Sequence, residues 1–231
     1  MNSPLPTLND KLDQAQALLN VALERHGPQN AAVAFSGGKD STVALDLWRR
    51  VLAERAPGMR PRALSLDTGL KFPEVLACRD RLVEEWGVDL IVVRPDVDLA
   101  GFEAARDKVD CCRRLKIEPL QRVIADAGIS LLITGLRRDE HPSRADRPGI
   151  EDIAAPPHQR VHPLLDFTEM DVWAYLLTRG LPYCELYDRG YRSLGCRPCT
   201  ASPSESGGDE RGGRDRDKEA QLGKLHSLGY F

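Results

Sequence analysis

Four cysteines and one glycine-rich loop are the residues of this chain whose types and spacing could support chemistry. Cys111 and Cys112 are adjacent, and Cys196 and Cys199 form a second pair much further along the chain. Thiolates are soft ligands, so four of them can hold either a zinc ion or an iron-sulfur cluster. The loop lies upstream of both pairs, so the sequence predicts an anion or nucleotide site beside a metal centre.

The loop reads Ser36-Gly37-Gly38-Lys39-Asp40-Ser41 and lies between an apolar run, Ala31 to Phe35, and a helical pattern, Asp40 to Ala56. Backbone amides at such a strand-to-helix turn can converge on phosphate oxygens, and the helix N-terminus adds partial positive charge. The adjacent glycines differ from the Walker spacing, which predicts a different kind of phosphate loop. An ordinary glycine turn is the alternative.

The spacing of the cysteines favours a cluster over zinc. Structural zinc prefers C-x2-C pairs, and neighbouring cysteines reach a single tetrahedral ion awkwardly. The simpler alternatives are buried thiols or a disulfide, and a disulfide is rare in the cytosol. Cys78 and Cys184 remain outside the quartet, and each is more typical of a small buried side chain than of a reactive thiol.

The elements that must position these residues alternate between strand and helix patterns. Strands are predicted at 31–35, 62–66, 89–94, 130–134 and 160–163, with helices between them. This order predicts an α/β fold: a twisted, mostly parallel sheet with helices on both faces. We expect an N-terminal helix within residues 1–30, a binding domain at 31–200 and a polar, flexible C-terminal tail at 201–231.

Composition limits the classes of function. The chain has 231 residues, 42% of them hydrophobic and 29% charged, with a formal net charge of −3. No apolar run is long enough to cross a bilayer, and the N-terminus does not resemble a signal peptide, so we expect a cytoplasmic protein. The net charge gives no field that would attract nucleic acid. Neither a membrane nor a nucleic acid is therefore an expected partner.

Arginines and one aspartate are further candidates for binding. Arg137, Arg138 and Arg144 follow the predicted strand at 130–134, where ligands of open α/β sheets collect, and guanidinium groups can grip oxyanions bidentately. A solvated loop with salt bridges to Asp139 and Glu140 is the alternative. Asp67 ends another strand and could accept a hydrogen bond from a nucleotide or bind Mg²⁺, although Asp-Thr-Gly is also typical of a turn.

These motifs resemble a known family. The loop at 36–41 is similar to the S-G-G-x-D-S loop of the ATP-pyrophosphatase-like, Rossmann-like enzymes. The segments at 66–69, 134–140 and 188–200 resemble the sulfonucleotide reductases of sulfate assimilation, over roughly residues 30 to 200. Those enzymes reduce adenylyl sulfate, or its 3'-phosphorylated form, to sulfite with thiol donors such as thioredoxin. The resemblance implies the same fold, substrate class and donor here, with Ser36 to Ser41 binding the nucleotide.

The cysteine pattern resembles the iron-sulfur branch of that family. This resemblance implies a 4Fe-4S cluster bound by Cys111, Cys112, Cys196 and Cys199, with Lys116 near both cluster and substrate. The segment from Glu210 to Arg214 resembles an arginine-bearing tail segment and supports anion binding.

The tail departs from the family pattern. The reductases attack sulfur with a cysteine in the C-terminal tail, and residues 200–231 contain none. The catalytic residue is therefore unknown, with Cys184, another chain or a free thiol as alternatives. The last residues, Gly229-Tyr230-Phe231, resemble instead the end of the small subunit of sulfate adenylyltransferase. A nucleotidyl transferase that uses ATP, or a non-catalytic nucleotide and iron-sulfur module, is the alternative function. Whether the protein forms a homo-oligomer stays open.

Overall fold

The protein is built around a twisted sheet whose strands are short and mostly parallel. The structure is a computed structural model that describes residues 6–205 and 208–230. The strand order is β3-β2-β1-β4-β6-β5. Every neighbouring pair is parallel except β5 and β6, which are antiparallel. The strands span Ala31–Ala34 (β1), Arg62–Leu66 (β2), Asp89–Val93 (β3), Leu131–Ile133 (β4), Ile150–Ile153 (β5) and His158–Val161 (β6).

Helices connect these strands and cover the sheet. They span Leu8–His26 (α1), Lys39–Arg55 (α2), Pro73–Glu85 (α3), Lys108–Cys112 (α4), Glu118–Asp126 (α5), Glu169–Thr178 (α6), Arg216–Ala220 (α7) and Leu222–Ser227 (α8). A π-helical turn, Arg113–Ile117, joins α4 to α5. Such turns are frequent at functional sites, and this one directly follows the adjacent cysteines.

The two faces of the sheet contribute to separate apolar cores, because successive side chains of a strand point to opposite faces. Val33 and Ile133 pack with α1, α2, α3 and α6 around the buried Trp48. Ala32 and Leu132 pack on the other face with α5. The predicted α/β fold with helices on both faces is confirmed.

Two segments differ from the pattern-based expectations. The edge strand β5 is short and carries Glu151 and Asp152, so its sequence resembles a loop, and only pairing with β6 makes it a strand. The described part of the tail forms α7 and α8 and packs on the domain, with Leu222 and Leu225 buried. Apolar contacts and ion pairs at few positions are enough to dock this polar segment.

Candidate functional site

The glycine loop turns sharply from β1 into α2. Gly37 has a φ of +83°, and a Cβ there would lie 2.7 Å from the carbonyl oxygen of Val75. The residue must therefore be glycine. The Gly38 N–H donates to the Ser36 hydroxyl at 3.2 Å, and the hydroxyls of Ser36 and Ser41 lie 3.1 Å apart. These groups lie at the N-terminus of the 17-residue α2, where the sequence predicts a phosphate cradle.

The side chains of Lys39 and Arg137 are buried in one charged network, and Lys39 also lines the cavity described below. The Lys39 ammonium lies 2.5 Å from Glu210, and the Arg137 guanidinium contacts Glu210 at 2.5 Å and Asp40 at 2.6 Å. Burial opposes the charge on Lys39, yet Asp40 and Glu210 raise its pKa above the ordinary value. This network joins the loop, the segment after β4 and the tail.

A close approach of backbone fixes two of these three elements, the glycine loop with the start of α2 and the segment after β4. A Cβ on Gly135 would lie 2.8 Å from the Asp40 carbonyl carbon and 2.9 Å from the Ser41 nitrogen. The segment that follows β4 therefore presses directly on the first turn of α2. The glycine permits this contact, which aligns Arg137 with Asp40.

The other predicted arginines and the aspartate occupy different positions. Arg138 lies outside the cavity described below, where its guanidinium bonds Asp166 and the carbonyl of Ala145. Arg144 lines the cavity; its Nη1 contacts Glu140, and its buried Nε has no partner in the described structure. The Asp67 carboxylate accepts from the Gly69 N–H at 3.1 Å and does not line the cavity. Its geometry is that of a turn.

A cavity of about 210 Å³ opens beside the glycine loop, at the carboxyl ends of β1, β2 and β4. Parallel α/β sheets bind ligands at this edge. Its walls near the sheet are apolar, formed by Ala34, Phe35, Leu64, Leu66 and Leu120. The cavity thus offers apolar surface at one side and the hydroxyls and amides of the loop at another.

One part of the cavity wall is basic. We call Lys71, Lys116, Arg211 and Arg214 the basic end; Arg211 contacts Glu140 and Glu219. No carboxylate of the described residues lies within salt-bridge distance of the other three. Burial and the Lys116 charge lower the pKa of Lys71 to about 8. Burial also acts against the Lys116 charge, but nearby Cys196 and Tyr230 raise the pKa of that ammonium. A bound oxyanion would relieve this crowding of positive charge.

Sequence reasoning identified Lys116 but not Lys71 or Tyr230 as residues of this cavity. Lys71 follows Asp67-Thr68-Gly69 by two positions, and its backbone forms a β-bridge with Cys196. Nothing local in the sequence shows that a bridge to a distant cysteine places that lysine in the site. Arg211 and Arg214 belong to the tail segment whose resemblance indicated anion binding.

The two cysteine pairs meet next to the basic end. Cys112, Cys196 and Cys199 are buried. Burial raises the pKa of the Cys111 and Cys199 thiols, and Cys196 lies close enough to both to raise their pKa a little more. Burial alone would raise the pKa of Cys196 itself, but Lys116, Thr68 and Lys71 lower it to about 7. All six cysteines are free thiols. The arrangement suits soft metal binding.

The distances between the cysteine sulfurs distinguish a zinc ion from an iron-sulfur cluster. In a tetrahedral zinc site with Zn–S bonds of about 2.3 Å, the sulfurs lie about 3.8 Å apart. Within the described ranges, no three cysteine sulfurs lie within 4.8 Å of one another. The four thiols are therefore spaced more widely than one zinc ion requires.

Comparison with known proteins identifies the family. The model of the phosphoadenosine phosphosulfate reductase domain matches residues 30–202, which include the glycine loop and all four cysteines of the quartet. The chain belongs to this reductase family. It is 34% identical over 222 residues to the phosphoadenosine 5'-phosphosulfate reductase of Gloeobacter violaceus, covering 92% of this chain and 88% of that one. It is also 34% identical over 220 residues to an adenosine 5'-phosphosulfate reductase of Burkholderia cepacia, covering 90% and 84%.

A solved structure agrees with this fold. The phosphoadenylyl-sulfate reductase of Candida auris, in a phosphate complex, superposes with a TM-score of 0.65 at 19% identity, covering 86% of this chain and 98% of that chain. None of the helices described for this reductase-family chain is long and apolar enough to cross a membrane.

The segment that matches the reductase family ends before most of the tail. The tail nonetheless completes the cavity, because Arg211, Arg214, Gly229 and Tyr230 line it. The two cysteines outside the quartet lie elsewhere: Cys78, on α3, and Cys184, in the segment after α6, are buried in the core and do not line the cavity.

Proposed function

We propose that the protein is a sulfonucleotide reductase-like oxidoreductase that cleaves adenylyl sulfate, or its 3'-phosphorylated form, and releases sulfite. The basic end is the observation that carries this proposal. Three cations without carboxylate partners among the described residues line the same cavity as an apolar wall and the glycine loop. A sulfonucleotide presents an adenine, a phosphate and a sulfo group, which match these three kinds of surface.

Each group of the substrate has a matching part of the cavity. The apolar residues Phe35, Leu64 and Leu66 would contact the adenine and ribose, and the loop at 36–41 would bind the phosphate through amides and hydroxyls. Lys71, Lys116 and Arg214 would hold the sulfo group and stabilise negative charge on the departing nucleotide. Membership of the reductase family and the names of its relatives support this binding mode.

We infer that Cys111, Cys112, Cys196 and Cys199 hold a 4Fe-4S cluster. The soft donor set, its burial and its wide sulfur spacing support this inference. When bound, such a cluster would contribute mainly its charge to this site. Lys116 lies within electrostatic reach of Cys112 and Cys196 and also lines the cavity, so its ammonium would link the cluster to the sulfo group.

The reducing thiol would come from a donor such as thioredoxin. A donor thiolate attacks the sulfur of the sulfo group. A new S–S bond forms while the S–O bond to the nucleotide breaks, and the nucleotide leaves with the electron pair of the S–O bond. A second thiolate then attacks the donor sulfur, forming a disulfide and releasing sulfite. The burial of Cys78 and Cys184 away from the cavity supports an external thiol. A reducing, cytoplasmic setting would suit this chemistry.

The test uses anaerobically purified full-length protein with measured iron and sulfide content. Adenylyl sulfate and its 3'-phosphorylated form are each incubated with thioredoxin, thioredoxin reductase and NADPH, and sulfite and nucleotide are quantified. We expect equal amounts of sulfite and nucleotide from one or both substrates. Cluster-loaded protein that releases neither product, but exchanges pyrophosphate into ATP in the presence of sulfate, would replace this proposal with a nucleotidyl transferase. Zinc in place of iron would overturn the cluster.

A further inference from the structure

The described end of the chain places an aromatic side chain in the wall of the cavity. Tyr230 follows α8, and its N–H donates to the carbonyl of Leu225 at 3.0 Å. The Arg160 guanidinium donates to the carbonyl of Gly229 at 2.8 Å. The Gln121 amide donates to the carbonyl of Leu228 at 3.4 Å. Side chains from β6 and α5 thus hold the backbone of the two residues that precede Tyr230.

Two lysines fix the ring and the hydroxyl of Tyr230. The ammonium of Lys116 lies 5.5 Å from the ring centroid, and that of Lys218 lies 4.9 Å from it. Lys218 Nζ is also 3.2 Å from the Tyr230 hydroxyl oxygen. An ammonium group can only donate, so the phenol oxygen accepts this bond. Burial raises the pKa of Tyr230, but Lys116 and Lys218 lower it to about 7. A bound anion favours the protonated phenol, and in that form the hydroxyl proton is left to donate to another group.

Among the described residues, that proton has no protein acceptor. In residues 6–205 and 208–230, Lys218 is the hydrogen-bond partner of the Tyr230 hydroxyl, and Tyr230 lines the cavity among the cations of the basic end. Cations cannot accept a hydrogen bond. An oxyanion held by Lys71, Lys116 and Arg214 is the acceptor that this surrounding favours, because its oxygens would lie against the same cations.

We propose that Tyr230 is a substrate-binding residue whose hydroxyl donates a hydrogen bond to the sulfo group. This inference rests on the proposed function and assigns the end of the tail a specific contact in that site. Lys218 orients the phenol by donating to its oxygen. The tail would then recognise the group that distinguishes a sulfonucleotide from AMP.

A purely structural role makes a different prediction. The Tyr230 ring packs against a small apolar cluster that includes Val109, Ile117 and Leu225. Tyr230→Phe keeps this ring and its contacts with both ammonium groups and removes only the hydroxyl. Tyr183→Phe is the matched control, because the Tyr183 hydroxyl bonds Asp188 at 3.0 Å outside the cavity.

The experiment measures dissociation constants by calorimetry for anaerobically purified full-length protein. Adenylyl sulfate and AMP are each titrated into wild type, Tyr230→Phe and Tyr183→Phe. A hydrogen bond to a charged acceptor corresponds to about tenfold or more in affinity. We expect Tyr230→Phe to bind adenylyl sulfate about tenfold more weakly and AMP as tightly as wild type. Tyr183→Phe should match wild type for both ligands.

Two results would overturn the inference. Equal weakening for adenylyl sulfate and AMP would mean that Tyr230 only holds the tail in place, and unchanged affinity for both would mean that its hydroxyl does not contact the substrate. Wild type that binds neither sulfonucleotide would refute the proposed function instead. Inorganic sulfate then serves as the probe: stronger binding by wild type than by Tyr230→Phe supports the donor, and equal or absent binding refutes it.

Discussion

Glu210 is the carboxylate through which the C-terminal tail contacts the glycine loop, and its neutralisation gives the most direct test of that junction. Its Oε1 lies 2.5 Å from Lys39 Nζ and 2.5 Å from Arg137 Nη2, and its Oε2 lies 2.6 Å from the same Arg137 nitrogen. Lys39 is 2% exposed and Arg137 is fully buried. Glu210→Gln removes the negative charge and keeps the shape of the side chain.

The expected cost follows from what remains around the two cations. Removing one partner of a buried ion pair costs about 3–5 kcal/mol, because a buried charge loses its compensation. Here Asp40 still lies 2.6 Å from Arg137 and 3.3 Å from Lys39, and the glutamine oxygen can still accept a hydrogen bond. We therefore expect the lower end of that range, a loss of about 3 kcal/mol in the free energy of unfolding.

Urea unfolding followed by tryptophan fluorescence measures this loss. Glu205→Gln is the control, because Glu205 is exposed and bonds only the nearby Ser202. The control should lie within about 0.5 kcal/mol of wild type, as exposed substitutions usually do. A Glu210→Gln protein within about 1 kcal/mol of wild type, at an unchanged denaturant slope, would refute the reasoning. The network would then not stabilise the docked tail.

Three further predictions concern the loop, the cysteines and the sheet edge. Gly135→Ala places a Cβ 2.8 Å from the Asp40 backbone, so we expect a loss of about 1–3 kcal/mol in urea unfolding and weaker AMP binding. Gly223→Ala, which meets open space, should change neither, and an unaffected Gly135→Ala would show that β4 does not press on α2. Cys196→Ser should lower the iron and sulfide bound per chain while Cys78→Ser leaves both unchanged; equal iron in the two variants would contradict the assigned ligands. Burial opposes the charge on Glu151, but His162, whose Nε2 lies 3.4 Å from the carboxylate, and a hydrogen bond from Arg147 lower its pKa to about 2 from 4.5. Its stabilising effect should therefore be complete above pH 4.5 and lost as the pH falls towards 2, by about 3 kcal/mol at most. The unfolding free energy of Glu151→Gln should be lower at pH 7 and vary less over that window, and parallel pH profiles for the two proteins would contradict this.

The arginines show how much of a residue's role can be predicted from the sequence. Arg137 follows a strand at the ligand-binding edge, as predicted, yet its guanidinium is committed to Asp40 and Glu210. Glu210, its partner in the tail, is 73 residues away in sequence, so no local pattern could show that this guanidinium forms an ion pair within the protein. Arg138 is the next residue in the same loop, but its side chain faces a different surface. There it contacts Asp166.

The sequence alone determined the strand-loop-helix unit at the glycine loop, the parallel sheet and the two cysteine pairs. These features depend on local causes: apolar periodicity, glycine conformations and the ligand preferences of thiolates. The tertiary structure decided which polar side chains face the cavity. Lys71, Arg214 and Tyr230 reach it through a β-bridge, the docked tail and the C-terminal turn, respectively. Their positions depend on contacts between distant parts of the chain, which periodicity and spacing do not encode.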